Sequence, residues 1–220
     1  MRAPLYDYGN RLRPPPSLAG VIRPPVRSET ACLTSGDVQT SRHIRMASGL
    51  GGPVFGLLRL TSSCGAQRPF HVRALDYGRV KLAPAAILQC GMVPAVEQWL
   101  QRVVIPAAQH TLGSTVTSIR VAASYSCRRI NGKIYNKMSQ HAYANALDIS
   151  AFTLADGRVV TVKRGWRGRP SERRFLRTIH RGACRIFSTV LGPEADRYHQ
   201  DHFHFDLARH NRRGTYHVCR

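Results

Sequence analysis

A strict alternation of side chains near the C-terminal end constrains the fold of this chain more than any other feature. Aromatic or aliphatic residues alternate with histidine and aspartate in the segment His202-Phe203-His204-Phe205-Asp206-Leu207. Successive side chains of a β-strand point to opposite faces of its sheet. The segment therefore predicts a strand that packs its aromatic rings against a core and displays two imidazoles and a carboxylate on its other face.

A second motif lies upstream, between Ser139 and Asp148. His141 and Asp148 are seven residues apart, and on one continuous helix they would be separated by about two turns, too far to share one ion. The residues Leu147–Ala151 instead follow the two-residue period of a strand. We therefore expect His141 on a loop or short turn and Asp148 inside a strand. Because an unpaired carboxylate among apolar neighbours is costly, Asp148 needs a partner.

Two imidazoles and a carboxylate form a typical zinc ligand set. Three protein ligands with a fourth position for water are typical of a catalytic zinc ion (Zn2+), whereas structural sites have four protein ligands. The alternative is that these polar residues face solvent and that Asp148 caps a turn, since short motifs also match by chance. The residues alone leave both interpretations open.

The chain resembles the extensin-like protein C-terminal domain family of bacteria, within the D-Ala-D-Ala metallopeptidase (hedgehog-type zinc peptidase) superfamily. The resemblance covers roughly residues 60 to 220. Its motifs occur in the right order, and they are Cys64-Gly65 with Pro69, Leu82–Ala86 with Cys90, Ser124–Arg128, His141-Ala142, Asn145–Ile149, Val190–Glu194 and His202–Ala208.

The resemblance implies a role for each matching position. His141, Asp148 and His204 would be the zinc ligands. Asp201 stands where some relatives carry a catalytic glutamate, and His202 matches a histidine that assists the transition state. Each of these roles has an alternative. Asp201 can instead be a turn residue or helix cap. His202 and His199 can instead orient the metal ligands without taking part in proton transfer.

Arg128 resembles an upstream arginine that holds the substrate or the developing oxyanion. The alternative for Arg128 is an ordinary surface arginine beside Arg129. The sequence departs from the family pattern at Gln140, where the family often has glutamate, and at Ala144, where it commonly has glycine. Alanine at this position is unfavourable if the backbone there needs a positive φ.

The implied activity is that of a zinc-dependent peptidase acting on peptidoglycan peptides in the bacterial cell envelope. Zinc would polarise a peptide carbonyl and lower the pKa of its bound water toward ~7. The base would be Asp201 first, and His202 or His199 second. The alternatives are a catalytically silent wall-binding module of the same fold and a basic protein that binds polyanions or nucleic acid.

The charge of the chain favours an anionic partner. Lysine and arginine number 33 against 12 acidic residues, which gives a net charge of +21, and such a chain attracts polyanions. The densest basic stretch runs from Lys163 to Arg181, and in a nucleic-acid-binding protein Trp166 would stack on a base. No helix-turn-helix, zinc-finger or RNA-binding sheet motif is present. We therefore expect peptidoglycan or another anionic wall polymer as the partner, ahead of nucleic acid.

Six scattered cysteines predict disulfides, since they lack the close spacing of a cysteine zinc site. Reduced, buried thiols are the alternative. Of about 15 possible pairings, the expected one is Cys184 with Cys219, Cys90 with Cys127 and Cys32 with Cys64. Disulfides persist in oxidising compartments, so the predicted location is periplasmic or extracellular. The start of the chain lacks the pattern of a signal peptide, which does not fit this location. No apolar run is long enough for a transmembrane helix.

The pattern along the chain predicts two regions. Residues 1–60 read as an irregular tail rich in proline, glycine and arginine, and residues 61–220 as one monomeric domain. The predicted elements are a helix from Pro94 to Gly113 kinked at Pro106, strands at Val116–Val121, Leu147–Leu154 and Val159–Val162, and a helix from Phe175 to Val190. Helices packed on a small, mainly antiparallel sheet define an α+β fold, as in the D-Ala-D-Ala metallopeptidases.

Overall fold

A computed structural model describes residues 38–40, 64–66 and 69–220. The predicted tail, residues 1–60, lies outside these residues except for one short strand. The described strands form a nine-stranded sheet in the order β1-β2-β3-β4-β5-β8-β7-β9, with β6 paired to β5. They are β1 Val38–Thr40, β2 Phe70–Leu75, β3 Val80–Leu88, β4 Val116–Ala123, β5 Ala146–Leu154, β6 Val159–Thr161, β7 Thr189–Leu191, β8 Phe203–Asp206 and β9 Val218–Cys219.

Most neighbouring strands are antiparallel, and the pairs β3–β4 and β7–β9 are parallel. β5 and β6 form an antiparallel hairpin, and Gly157 in its turn has a φ of 83°. The α+β class is confirmed. The sheet is larger than predicted, because short strands such as β7 and β9 have too few residues to show a period in the sequence.

A helical run with an internal π-helical turn follows β3. It consists of α1 Met92–Trp99, a π-helical segment Leu100–Val104 and α2 Ile105–Leu112. Pro106 lacks the N–H that an α-helix needs and its ring crowds the preceding turn, and the wider π-helical turn lies directly before it. The predicted interruption is therefore a π-helical turn. Gly113, with a φ of 67°, ends the run as predicted.

The remaining helices are α3 Val162–Gly165 and α4 Pro170–Ala183. The prediction that one helix continues to Val190 is wrong. The chain turns after Ala183, whose carbonyl accepts the N–H groups of Ile186 and Phe187, and Val190 pairs with Phe205 in the sheet. The apolar residues that follow Ala183 are buried in the same core as the apolar face of the helix. Their spacing in the sequence therefore resembled a continuation of the helix, which explains the wrong prediction.

The helices cover one face of the sheet, and the core lies between the two layers. Phe203 and Phe205 of β8 are buried there, and the ring of Trp99 packs edge-on against Phe205 with 5.0 Å between centroids. The indole N–H of Trp99 donates to the carbonyl of Ile179 in α4 at 2.9 Å. Strand alternation therefore directs Asp148 and His204 to the opposite face of the sheet. Within the described residues, no helix has the length and apolar character needed to cross a membrane.

Two disulfides join described residues. Cys184 binds Cys219, which confirms that prediction, and Cys64 binds Cys127 with their Cα atoms 5.6 Å apart. The predicted pairs Cys90–Cys127 and Cys32–Cys64 are therefore wrong. Cys90 is itself disulfide-bonded, and Cys32 lies outside the described residues. The spacing of the cysteines along the sequence does not determine which of them pair. Cys64 is brought close to Cys127 by a contact with the turn that carries His141, because the N–H of Gly65 donates to the carbonyl of Ala142 in that turn.

Replacing Cys184 and Cys219 together with serine should lower the free energy of unfolding by about 3–4 kcal/mol, because their disulfide closes a loop of 35 residues in the unfolded chain. Urea unfolding of the parent and the double variant measures the difference. A loss under about 1 kcal/mol would show that the bond does little for stability.

Candidate metal centre

Three elements bring His141, Asp148 and His204 together. His141 lies on the 3-10 turn Gln140–Tyr143, which begins at Ser139, whose hydroxyl oxygen accepts the N–H of His141. Asp148 lies in β5 and stands directly opposite His204 of β8 in the strand register. The placement of His141 on a short turn and of Asp148 inside a strand matches the sequence-based expectation.

The three side chains converge on one point. His141 Nε2 lies 3.1 Å from Asp148 Oδ2 and 3.2 Å from His204 Nδ1, and His204 Nδ1 lies 2.8 Å from Asp148 Oδ1. Asp148 is 4% exposed and His141 is 1% exposed, so both are shielded from bulk water. All three can offer a ligand atom within 4.8 Å of the other two.

The far side of each imidazole is held by an acceptor. His141 Nδ1 donates to the carbonyl of Ser124 at 2.5 Å, and His204 Nε2 donates to Asp206 Oδ2 at 3.0 Å. Since a carbonyl only accepts, His141 carries a proton on Nδ1, and its Nε2 is the nitrogen that faces Asp148 and would bind a metal. Metal-ligating histidines generally have such an outer acceptor, which fixes the tautomer and the ring orientation.

The electrostatics of the cluster favour a cation at its centre. Burial alone would raise the pKa of Asp148, but hydrogen bonds from His141 and His204 outweigh it and hold the pKa below its ordinary range. Burial opposes the charged form of His204, yet the carboxylates of Asp148 and Asp206 raise the pKa of His204 to about 9. Without a metal, a proton on His204 therefore supplies the positive charge between the ligand atoms.

The donor set fits zinc. Ligand nitrogen and oxygen atoms about 2.0–2.1 Å from one tetrahedral zinc ion lie about 3.3 Å from one another. The separations of 3.1 and 3.2 Å from His141 Nε2 agree with that value. The contact of 2.8 Å between His204 Nδ1 and Asp148 Oδ1 is shorter and has the length of a charge-assisted hydrogen bond. His141, Asp148 and His204 would hold the ion.

His202 and Asp201 form a pair beside the cluster. His202 Nδ1 lies 2.8 Å from Asp201 Oδ1, and His202 Nε2 lies 3.8 Å from Asp148 Oδ2. The Asp201 side chain is 62% exposed, and its hydrogen bond to His202 lowers the pKa of Asp201. His202 therefore contacts the edge of the cluster, while Asp201 contacts it only through His202.

His199 and Asp196 repeat this arrangement. His199 Nδ1 lies 2.7 Å from Asp196 Oδ1, and the His199 ring lies 5.3 Å from that of His202 and 5.8 Å from that of His204. Burial lowers the pKa of His199, although the hydrogen bond to Asp196 opposes this. The sequence indicates His199 as a candidate but not Asp196, three residues before it. Nor does it indicate the role of Asp206, which lies two positions from His204 on the same strand face.

Arg128 is exposed, and its side chain forms no hydrogen bond or ion pair with another described residue. Its carbonyl accepts the N–H of Ser139, two residues before His141. Trp166 does not match the base-stacking hypothesis, because it is 4% exposed and its indole N–H donates to Glu194 at 3.2 Å. The Trp166 ring is therefore part of the core.

The turn that follows His141 carries the departure at Ala144. Ala144 has a φ of 52° and a ψ of 27°, the left-handed conformation, and it is fully buried. Its carbonyl accepts the N–H of Gln89 from the end of β3, and the side-chain amide of Gln89 donates to Asn145. The turn is thus held by neighbouring elements, which offsets the cost of alanine in this conformation, about 1–2 kcal/mol.

Replacing Ala144 with glycine should cost at least about 1 kcal/mol less stability than replacing Ala146 with glycine. Both alanines are fully buried, and only Ala144 has a positive φ. The losses of the buried methyl group and of chain entropy are shared by the two variants, so the difference isolates the strain. Equal losses in urea unfolding would show that Ala144 is not strained.

Comparison with known proteins agrees with the motifs. Residues 58–220 match the family model described as extensin-like protein C-terminus. No curated protein and no solved structure matches the chain. Because the family match covers well over half of the sequence, the chain belongs to the extensin-like protein C-terminal family.

Proposed function

We propose that this protein is a zinc-dependent peptidase that acts on peptidoglycan peptides in the bacterial cell envelope. One observation carries the proposal: three ligand atoms converge within 4.8 Å of one another, from a buried carboxylate and two imidazoles with outer acceptors. The resemblance to the D-Ala-D-Ala metallopeptidase superfamily supports the same ligand set. A zinc ion, when bound there, supplies the positive charge that polarises a carbonyl group and acidifies a water molecule.

In this proposal His202 is the base. Its Nδ1–H is held by Asp201 at 2.8 Å, which leaves the Nε2 lone pair on the side of Asp148. An imidazole whose far nitrogen is fixed by a carboxylate is well oriented to accept a proton from water and return it to a leaving amine. Asp201, which the sequence favoured as the base, becomes the positioning residue, because its carboxylate is mostly exposed and bonded to His202.

The charge and the disulfides suit the cell envelope. Cys64–Cys127 and Cys184–Cys219 require an oxidising compartment to persist, which favours a periplasmic or extracellular location. Peptidoglycan peptides carry carboxylates, and a chain with a net charge of +21 attracts them. Arg128, exposed near the turn of His141, would face the substrate carboxylate or the developing oxyanion.

The test is hydrolysis of purified peptidoglycan fragments by the zinc-loaded protein, with products identified by mass spectrometry. The proposal predicts release of peptides that stops on addition of a chelator and in a His141→Ala variant. Zinc retained without any product would contradict peptidase activity and favour the catalytically silent wall-binding module.

Binding of an anionic polymer through the helical layer is a second candidate function. Arg173, Arg174, Arg177 and Arg181 of α4 are exposed and fall within about 100° of one another around the helix. Within the described part of the chain, only Arg177 of these four forms an ion pair, with Glu194 at 3.0 Å. An affinity for DNA or RNA that falls steeply with salt and survives His141→Ala would favour this candidate.

A further inference from the structure

A loop of residues 128–138, here called the entrance loop, projects from the turn that carries His141. Its two ends are joined by a bridge between Arg129 and Met138, and the N–H of Ser139 donates to the carbonyl of Arg128. The N–H of Ser126, just before the loop, donates to the carbonyl of His141 itself at 3.2 Å. The base of the loop is therefore fixed to the backbone of the candidate metal ligand.

The entrance loop has a defined internal structure. Arg129 Nη1 donates to the carbonyl of Asn136 at 2.6 Å, and Asn136 Nδ2 donates to the carbonyl of Ile130 at 2.8 Å. Asn131 and Gly132 adopt positive φ values of 56° and 67° that turn the chain. Because the polar groups of the loop bond to one another, its apolar side chains are left to point outward.

Large hydrophobic side chains are exposed on the entrance loop and beside His199, the two segments that adjoin the candidate site. Seven occur among the described residues, and four of them lie on the entrance loop or beside His199. These four are Ile130, Ile134, Tyr135 and Tyr198, with Tyr135 99% and Ile134 78% exposed. Exposed apolar side chains on segments that adjoin a candidate active site favour a ligand-binding surface.

Tyr198 links the entrance loop to the segment of His199. Arg197 Nη2 donates to Tyr198 Oη at 2.8 Å, and the Arg197 guanidinium lies 4.9 Å from the centre of the Tyr198 ring. Arg197 foremost, and then Lys133 of the entrance loop, lower the pKa of Tyr198. Both cations therefore act on one phenol. Among the described residues no carboxylate forms an ion pair with Lys133 or Arg197; Arg197 interacts electrostatically with its neighbour Asp196, whose Oδ1 is bonded to the N–H of Tyr198 and to His199.

We propose that the entrance loop and the segment Asp196–His199 form a binding surface for an acidic peptide, with Lys133 and Arg197 holding a free carboxylate and Tyr135 and Ile134 packing against the adjoining chain. This inference rests on the proposed function in one respect: the proposed function identifies the acidic peptide as a peptide of peptidoglycan. The charge favours this class of occupant, because a guanidinium and an ammonium that form no ion pair with any described residue can bind carboxylates through charge-assisted hydrogen bonds.

The test is cosedimentation of each protein with insoluble peptidoglycan. The variants are Lys133→Gln/Arg197→Gln, which removes the two cations, and Tyr135→Asn, which removes the exposed ring. Matched controls come from the distant β2–β3 hairpin, where Arg73, Tyr77 and Lys81 are exposed. They are Arg73→Gln/Lys81→Gln, with the same loss of charge, and Tyr77→Asn. Circular dichroism and zinc content check that every variant is folded and metal-competent.

We expect the double variant to bind peptidoglycan about tenfold more weakly and Tyr135→Asn about fivefold more weakly, with both controls like the parent. Peptidoglycan stripped of its peptides should bind the parent as weakly as intact peptidoglycan binds the double variant. Equal losses in test and control variants would overturn the proposal in favour of diffuse charge attraction. Undiminished binding to the stripped glycan would overturn the acidic peptide as the occupant.

Peptide release in the same samples separates the two proposals. A parent that releases no peptide, with binding lost only in the entrance-loop variants, contradicts the peptidase and supports the binding surface. A parent that cleaves, with entrance-loop variants that bind and cleave equally well, supports the peptidase and overturns the binding surface.

Discussion

We expect His202→Ala to reduce the rate of peptide hydrolysis by about 10²–10⁴-fold, the usual contribution of a positioned acid–base group, while the zinc content stays at the parental level. His202 is not one of the three converging ligands, and its Nε2 lies 3.8 Å from Asp148 Oδ2. Its loss therefore removes proton transfer and leaves the ligand set complete. Steady-state hydrolysis with metal analysis of the same sample measures both quantities.

Two comparisons make this prediction specific. Asp201→Asn should lower the rate less than His202→Ala and displace the pH–rate profile, because Asp201 acts by holding His202 Nδ1. His110→Ala, on the exposed end of α2, should leave the rate unchanged. If His202→Ala hydrolyses peptide at the parental rate, or if Asp201→Asn alone abolishes turnover, then His202 is not the base.

Zinc should bind the metal-free protein about 100-fold more tightly at pH 8.5 than at pH 6.5. The carboxylates of Asp148 and Asp206 raise the pKa of His204 to about 9, so His204 binds a proton throughout this range. Zinc has to displace that proton, so the apparent affinity rises about tenfold for each pH unit until the pH reaches the pKa of His204. Asp148, whose pKa is lowered, is already ionised and releases no proton.

Competition with a chelator of known pH dependence measures this slope. Asp206→Asn provides the control, because it removes one of the two carboxylates that raise the pKa of His204. In that variant the affinity should level off at a lower pH than in the parent. An affinity that does not change between pH 6.5 and 8.5 would show that His204 is not a ligand that must lose a proton.

The sequence predicted the local structure of the site through strand alternation. The alternation in Phe203–Asp206 gave the face of each side chain, because the side-chain period of a strand is two and aromatic residues identify the buried face. The pattern around Asp148 gave the second strand in the same way. Local order is predictable here because burial on one face determines it.

The sequence did not predict which residues meet across the fold. Asp148 and His204 are 56 residues apart and are brought opposite each other by the register of β5 and β8. The same limit explains the wrong cysteine pairs, since Cys64 and Cys127 are joined by backbone contacts around the turn of His141. The approach of Lys133 to Tyr198 depends on two loops, which have no period to indicate their path.

The most direct test of the proposed metal centre is the metal content of the purified protein, measured by mass spectrometry beside a His141→Ala/Asp148→Ala double variant. We expect close to one zinc ion per chain in the parent and none in the variant, with both proteins folded. A folded parent that binds no zinc, even after refolding with zinc under oxidising conditions, would contradict the metal centre and the peptidase built on it.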